Sequence, residues 1–304
     1  MTRALYPFSP LAPAKRMEQL SLNLHPFRFG IECNIPAVRT NLEKIYGSRL
    51  SEDMSSIQDY SIRLDGVGGM RRFIRPQVRF FCDQKEPFKP LNLGQAYAFL
   101  EWGMNWTIAA HEVQNVIIHS AVLAKGDKAI LFPAPPGSGK STITAYLAFN
   151  GWRLLSDEMA LINPNTLEVT PFVRPICLKN QSIDLARNWF PEAHFSTIAK
   201  DTHKGDVIHL SPPECSWEQS TVPAKIVGVV FPKYMPNNDL TIYQLSKLEA
   251  FAELANNAFN YGVAGKTGFE TLTKVIDQSS CFEIHHSQLS DVKEFLEQDI
   301  IQHA

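Results

Sequence analysis

The apolar run Ala129-Ile130-Leu131-Phe132 leads through Pro133 to Ser138, rich in proline and glycine, into Gly139-Lys140-Ser141-Thr142, which opens a helix. A strand, a glycine loop and a helix in that order turn successive backbone N–H groups, unblocked at Gly137 and Gly139, toward a concavity where the helix dipole favours phosphate oxygens. Pro136, Gly137, Ser138, Gly139, Lys140, Ser141 and Thr142 are the expected cradle. Lys140 would face the β- and γ-phosphates of a nucleoside triphosphate, and the Ser141 hydroxyl would ligate Mg²⁺. Ala134 stands where the usual pattern has its first glycine. The bland alternative, a Gly/Pro turn followed by a surface lysine, does not account for the strand before and the helix after.

The rest of the chain supplies a fold for this loop. Residues 1–22 read as a flexible N-terminus, 23–90 as an α+β segment, and 91–304 as an α/β nucleotide-binding domain in which strands and helices alternate. In the segment, Phe27 to Glu32 alternates as a half-buried strand, and Pro36 to Tyr46 reads as a helix ending at Gly47. Tyr60 to Leu64 and Val78 to Cys82 read as strands, with Gly66-Val67-Gly68-Gly69 as a turn. Leu93 to Ala110 is apolar on more than one face and is expected to be a buried helix despite Gly103. Further on, Lys247 to Asn257 and Leu289 to Gln298 look helical, Tyr261 to Gly268 reads as an ordinary loop, and His285-His286 as surface.

Charge and cysteine content exclude some function classes. With 29 basic and 31 acidic side chains in 304 residues, no broad cationic face for nucleic acid is expected. Five scattered cysteines without a CxxC pair argue against a disulfide framework or a zinc site and fit a reducing cytoplasm. No apolar run reaches the length of a membrane span, so no membrane association is expected.

Two elements flank the loop. Gly151 to Glu158 is an apolar strand ending in Asp157-Glu158, where a neighbouring strand would bring carboxylates to bound phosphate. Such a carboxylate can hold Mg²⁺ or take the proton of an attacking hydroxyl. Upstream, Val116 to Val122 places His119 inside an otherwise apolar strand; alone, it reads as a core histidine.

His119, Lys140 and Asp157, separated by 21 and 17 positions, together with Gly137-Ser138-Gly139-Lys140-Ser141 and Arg153-Leu154-Leu155-Ser156-Asp157-Glu158, resemble the HPr kinase/phosphorylase superfamily, specifically its HPr kinase-related branch. The resemblance implies a P-loop kinase domain of the phosphoenolpyruvate-carboxykinase-like type, with ATP and Mg²⁺. It makes Asp157 the base, His119 a stabiliser of Asp157 or of the phosphoryl group, and Lys140 a neutraliser of developing charge. Ser141 and, secondarily, Glu158 would hold the metal. The acceptor implied is a serine-type hydroxyl of a protein or peptide, or a small hydroxylated metabolite, and homo-oligomers occur in the family. The family's Glu-Arg-Gly element has only Arg174 as a counterpart in Phe172 to Ile176, and the N-terminal segment differs, so HPr itself is not the expected substrate. The acidic strand end also suits an ATPase or nucleotide-dependent switch, and the cradle alone suits a binding module. Further downstream, Lys204, in Asp201 to His209, is another candidate for contact with phosphate or acceptor, against the alternative of a basic surface turn.

Overall fold

The computed structural model describes residues 17–67, 74–135 and 137–304. Its first sheet has six strands: β1 (Glu18–Leu24), β2 (Phe27–Cys33), β3 (Leu50–Ser51), β4 (Tyr60–Gly66), β5 (Gln77–Cys82) and β6 (Leu91–Asn92), in the spatial order β3-β1-β2-β4-β5-β6. Strand β1 thus begins at Glu18, within the stretch 1–22 expected to be a flexible N-terminus. Leu20, Leu22 and Leu24 of β1 alternate into the core and pair with β2, a period-2 pattern that the neighbouring polar residues obscure in the sequence. Helix α1 (Pro36–Tyr46) spans the expected residues, with proline in its first turn. The expected turn at Gly68-Gly69 lies outside the described residues.

Helix α2 (Ala96–His111) joins this sheet to the rest of the chain. Phe99, Leu100, Met104 and Ile108 share one core with β1, β2, β4 and β5, and Ile117, Leu161 and Phe172 complete it from beyond the helix. Gly103 permits the close approach, since a Cβ there would fall 2.0 Å from Cε2 of Phe80. The opposite side of α2 carries Ala98 and Trp102 against Cys177 and Val207.

The eight-stranded sheet is mixed. It comprises β7 (Val116–Lys125), β8 (Lys128–Pro133), β9 (Arg153–Ser156), β10 (Met159–Ile162), β11 (Glu168–Thr170), β15 (Ala224–Tyr234), β16 (Thr241–Gln244) and β17 (Ser280–His286). β8 and β17 run parallel to β15, whereas β7 is antiparallel to β8, β9 and β10. Helix α3 (Lys140–Phe149) covers one face through Ile143 and Leu147. A small antiparallel sheet of β12 (Ile176–Lys179), β14 (Gly205–Leu210) and β13 (Ala199–Thr202) lies beyond, with α4 (Gln181–Trp189) after β12 and α5 (Glu214–Glu218) after β14. On the other face of the large sheet lie α6 (Lys247–Asn256) and α7 (Tyr261–Gln278), whose Leu254, Leu272 and Val275 pack on β7, β8 and β15. The chain closes on α8 (Leu289–Phe295) and a π-helical turn, Leu296–Ile301.

Two expectations are corrected. Tyr261 to Gly268 is helical and not a loop; Gly265, at φ 53° and ψ −124°, makes a kink at which a short first helical stretch joins the longer remainder of α7. His286 is not a surface residue: strand β17 takes it into the sheet, where it is 1% exposed, and His285 is partly covered beside Glu283, with Nε2 2.8 Å from Oε1. No described helix is long and apolar enough to cross a membrane.

Candidate active site

Strand β8 ends at Pro133 and the chain re-enters helix at Lys140. Gly137 and Gly139 sit at φ 90° and 89°, the left-handed region that side chains with a Cβ rarely adopt. Gly139 caps α3, its carbonyl accepting the N–H groups of Thr142 and Ile143. A helix start leaves its leading N–H groups without intrahelical acceptors. The loop is tied to β15 by Tyr234 N–H, which donates to the Ser138 carbonyl at 3.0 Å. It is walled so closely that a Cβ on Gly139 would lie 3.2 Å from Cβ of Tyr234 and 3.6 Å from the His286 ring. Ser141 and Thr142 are half-buried in the first helical turn. Pro136 lies outside the described residues.

The acids arrive from the next strand pair. β9 and β10 both pair with β7, and Asp157 and Glu158 fill the step between them. Ser156 Oγ clasps that step by accepting the Met159 N–H at 2.9 Å. Asp157 is buried; its Oδ2 accepts the Cys177 N–H at 2.9 Å, while Oδ1 has no partner among the described residues. Burial, and then the charge of Glu158, push the Asp157 carboxyl up to about 6, against the pull of the Cys177 N–H and Lys140. This is the range in which a carboxylate can both accept and release a proton near neutrality.

His119 lies opposite Met159 in the β7–β10 ladder. Its Nε2 is 3.2 Å from Lys140 Nζ, and its ring meets Phe259 at 5.3 Å. Burial and the neighbouring ammonium hold His119 down at about 4, so the imidazole is neutral at pH 7 and accepts from Lys140. The structure thus brings His119 to the lysine that opens α3. Burial also lowers Lys140, opposed by the charges of Asp157 and Glu158.

Glu158 is held by a chain of polar side chains of which sequence reasoning had singled out only Arg174. Asn105 Nδ2 donates to Glu158 Oε2, and Asn105 Oδ1 accepts from Arg174. Arg174 in turn is ion-paired with Glu101, whose carboxylate accepts the Tyr46 hydroxyl at 2.9 Å. The signal available was Glu101 and Asn105, four residues apart in an otherwise apolar helix. Burial alone would raise Glu158, but the charges of Lys204, Lys140 and Lys179 outweigh it and keep the carboxyl low. A cleft between α2 and the acidic step is lined by Trp102, Asn105, Asp157, Glu158, Arg174 and Cys177, among others.

Among the described residues no group of three or more His, Cys, Asp or Glu is disposed to hold a metal ion. Magnesium beside a nucleotide needs no such group, since it takes one or two protein oxygens, phosphate oxygens and water. Ser141 and Glu158 are of the right donor type. No family model matches the chain, and no curated protein matches it.

Proposed function

We propose that this chain is an ATP-dependent kinase that transfers the γ-phosphoryl group to a serine-type hydroxyl of a protein, a peptide or a small metabolite. The fold reading that goes with it is a P-loop kinase domain of the phosphoenolpyruvate-carboxykinase-like type, acting in the cytoplasm. The observation that carries the proposal is the unpartnered Oδ1 of buried Asp157, set in the same site as Lys140 at the head of α3. A carboxylate kept dry and half-satisfied, with its proton affinity raised toward neutrality, suits the removal of a proton from an incoming hydroxyl.

ATP with Mg²⁺ would supply the phosphoryl group and concentrated positive charge. The loop residues Gly137 to Thr142 cradle the phosphates through N–H groups, and Lys140, steadied by neutral His119, offsets charge on the β- and γ-phosphates. Ser141 and Glu158 would provide oxygens for the metal, and Asn105, itself held by Arg174, orients Glu158. Asp157 Oδ1 accepts the acceptor's hydroxyl proton as that oxygen bonds to phosphorus and the bond from phosphorus to the β,γ-bridging oxygen breaks, with ADP leaving.

The test is incubation of the purified chain with Mg²⁺, γ-labelled ATP and a host extract, comparing wild type with Asp157→Asn. Label on a macromolecule or metabolite that is lost in the variant is the expected result. Phosphate release with no transfer into any fraction would overturn the kinase reading and leave an ATPase or nucleotide-driven switch.

A further inference from the structure

The charges of three lysines, Lys204, Lys140 and Lys179, act on the Glu158 carboxylate, and only Lys140 belongs to the glycine loop. Lys179 closes β12 two residues beyond Cys177, whose N–H holds Asp157, so both residues lie on one face of that strand. Lys204 sits in the hairpin turn between β13 and β14, where Thr202 is paired with Gly205 and Thr202 Oγ1 accepts the Lys204 N–H at 3.0 Å. That turn packs on α2: the Trp102 ring meets His203 at 5.2 Å and lies 5.7 Å beneath the Lys204 ammonium. Gln95 secures the hairpin to the start of α2 by donating to the carbonyls of Lys200 and Asp201. The two lysines are thus both mounted on the small sheet.

Neither is spent on a structural ion pair. Among the described residues the lysine salt bridges run through Lys125, Lys233, Lys247, Lys266 and Lys293, and Lys140, Lys179 and Lys204 make none. Lys204, exposed above Trp102, and Lys179 thus act on Glu158 without being neutralised by a salt bridge among the described residues. In addition, two buried donors of cleft-lining residues, Trp102 Nε1 and Arg174 Nε, have no acceptor among the described residues. A site with unneutralised lysines and orphaned N–H donors, next to one orphaned carboxylate oxygen, matches a ligand that presents one hydroxyl and several anionic oxygens.

We infer that the phosphoryl acceptor is a small hydroxy compound bearing its own carboxylate or phosphate, with the hydroxyl directed to Asp157 and the anionic group held by Lys204 and Lys179. This rests on the kinase reading and narrows it: Lys140 serves the donor's phosphates, whereas the lysines of the small sheet select the acceptor. A neutral polyol would satisfy Asp157 but leave both ammoniums and both orphan donors unmatched.

The experiment uses the full chain with three probes of similar size: glycerol, glycerate and glycerol 3-phosphate. Binding is measured by calorimetric titration and transfer with labelled ATP. At least one anionic probe is expected to bind and to accept label, and glycerol to do neither; the carboxylate and phosphate arms distinguish the two kinds of anion. Lys204→Met and Lys179→Met should each weaken the anionic probe about tenfold or more, the loss typical of one charge-assisted contact, with ATP affinity unchanged. No binding by either anionic probe, equal use of glycerol, indifference to both lysine substitutions, or label passing only to macromolecules would each overturn the inference. Failure of the kinase reading shows separately, as wild type that does not bind ATP or that binds it equally well after Lys140→Ala.

Discussion

Asp157→Asn should abolish phosphoryl transfer and at the same time make the protein more stable at alkaline pH. The carboxyl is displaced upward from its ordinary 3.8 to about 6 by burial, so between these values the folded chain binds a proton that the unfolded chain does not. Stability of the wild type therefore falls as pH rises through that window, and above it the ionised, dry carboxylate costs about 3 kcal/mol. Asparagine keeps the oxygen that accepts the Cys177 N–H and carries no charge at any pH. Its amide places a donor where Oδ1 had no partner, a penalty of roughly 1–2 kcal/mol that does not vary with pH. The decisive quantity is the pH dependence of the difference. Chemical denaturation of both proteins from pH 4 to pH 8 should show the variant gaining about 3 kcal/mol on wild type across the range, or about 5 °C in melting temperature. Most of that gain falls between pH 4 and 6, and the difference is flat above. Parallel stability curves for the two proteins over the whole range would refute the argument that Asp157 is a desolvated, half-satisfied carboxylate.

Further outcomes follow from the same geometry. With Asp157 as base, the rate at low acceptor concentration should rise through about pH 6 and level off above it; a profile flat from pH 5 to 8 would exclude that role. Gly139→Ala should lose ATP affinity at least tenfold in titrations, because φ at 89° and the 3.2 Å approach to Tyr234 both oppose a Cβ; unchanged affinity would count against the loop conformation. Arg174→Met leaves buried Glu101 without its ion partner and should cost about 3 kcal/mol or more in denaturant melts. Gly103→Ala forces a methyl into the Phe80 ring and should destabilise by about 1–3 kcal/mol despite the better helix former.

The elements that position the glycine loop before Lys140 were legible because their signals are local. Proline at the start of α1 and glycine past its end, the apolar run of β8, and the glycines before Lys140 each carry their own backbone consequence. Asp157 and His119 were legible as candidates, but not their contacts: that Lys140 is the partner of His119 depends on how β7 lies beside the loop. Strand β17 was missed because Ser280 to His286 has too many polar side chains to read as a strand until β15 and β16 enclose it. Helix α7 was missed because Gly262, Gly265 and Gly268 argue for a loop, whereas packing of Leu272 and Val275 overrides that propensity. Asn105 was hidden by the apolar content of α2, which drew attention to its core and away from the one side that meets Glu158. Lys179 had no local mark at all; its place is given by the long-range pairing of β12 with β14.

Helix α2 is shared property. One side completes the core of the six-stranded sheet with Phe99, Leu100, Met104 and Ile108, and the other presents Trp102 and Asn105 to the cleft. The N-terminal segment is consequently no interchangeable module. A chain cut near residue 91 would open that shared core to water and free Tyr46 and its hydrogen bond from Glu101, loosening the line of side chains that ends at Glu158. Any exchange of this segment between related chains would have to carry the face of α2 that packs on it, so the two halves are bound to change together.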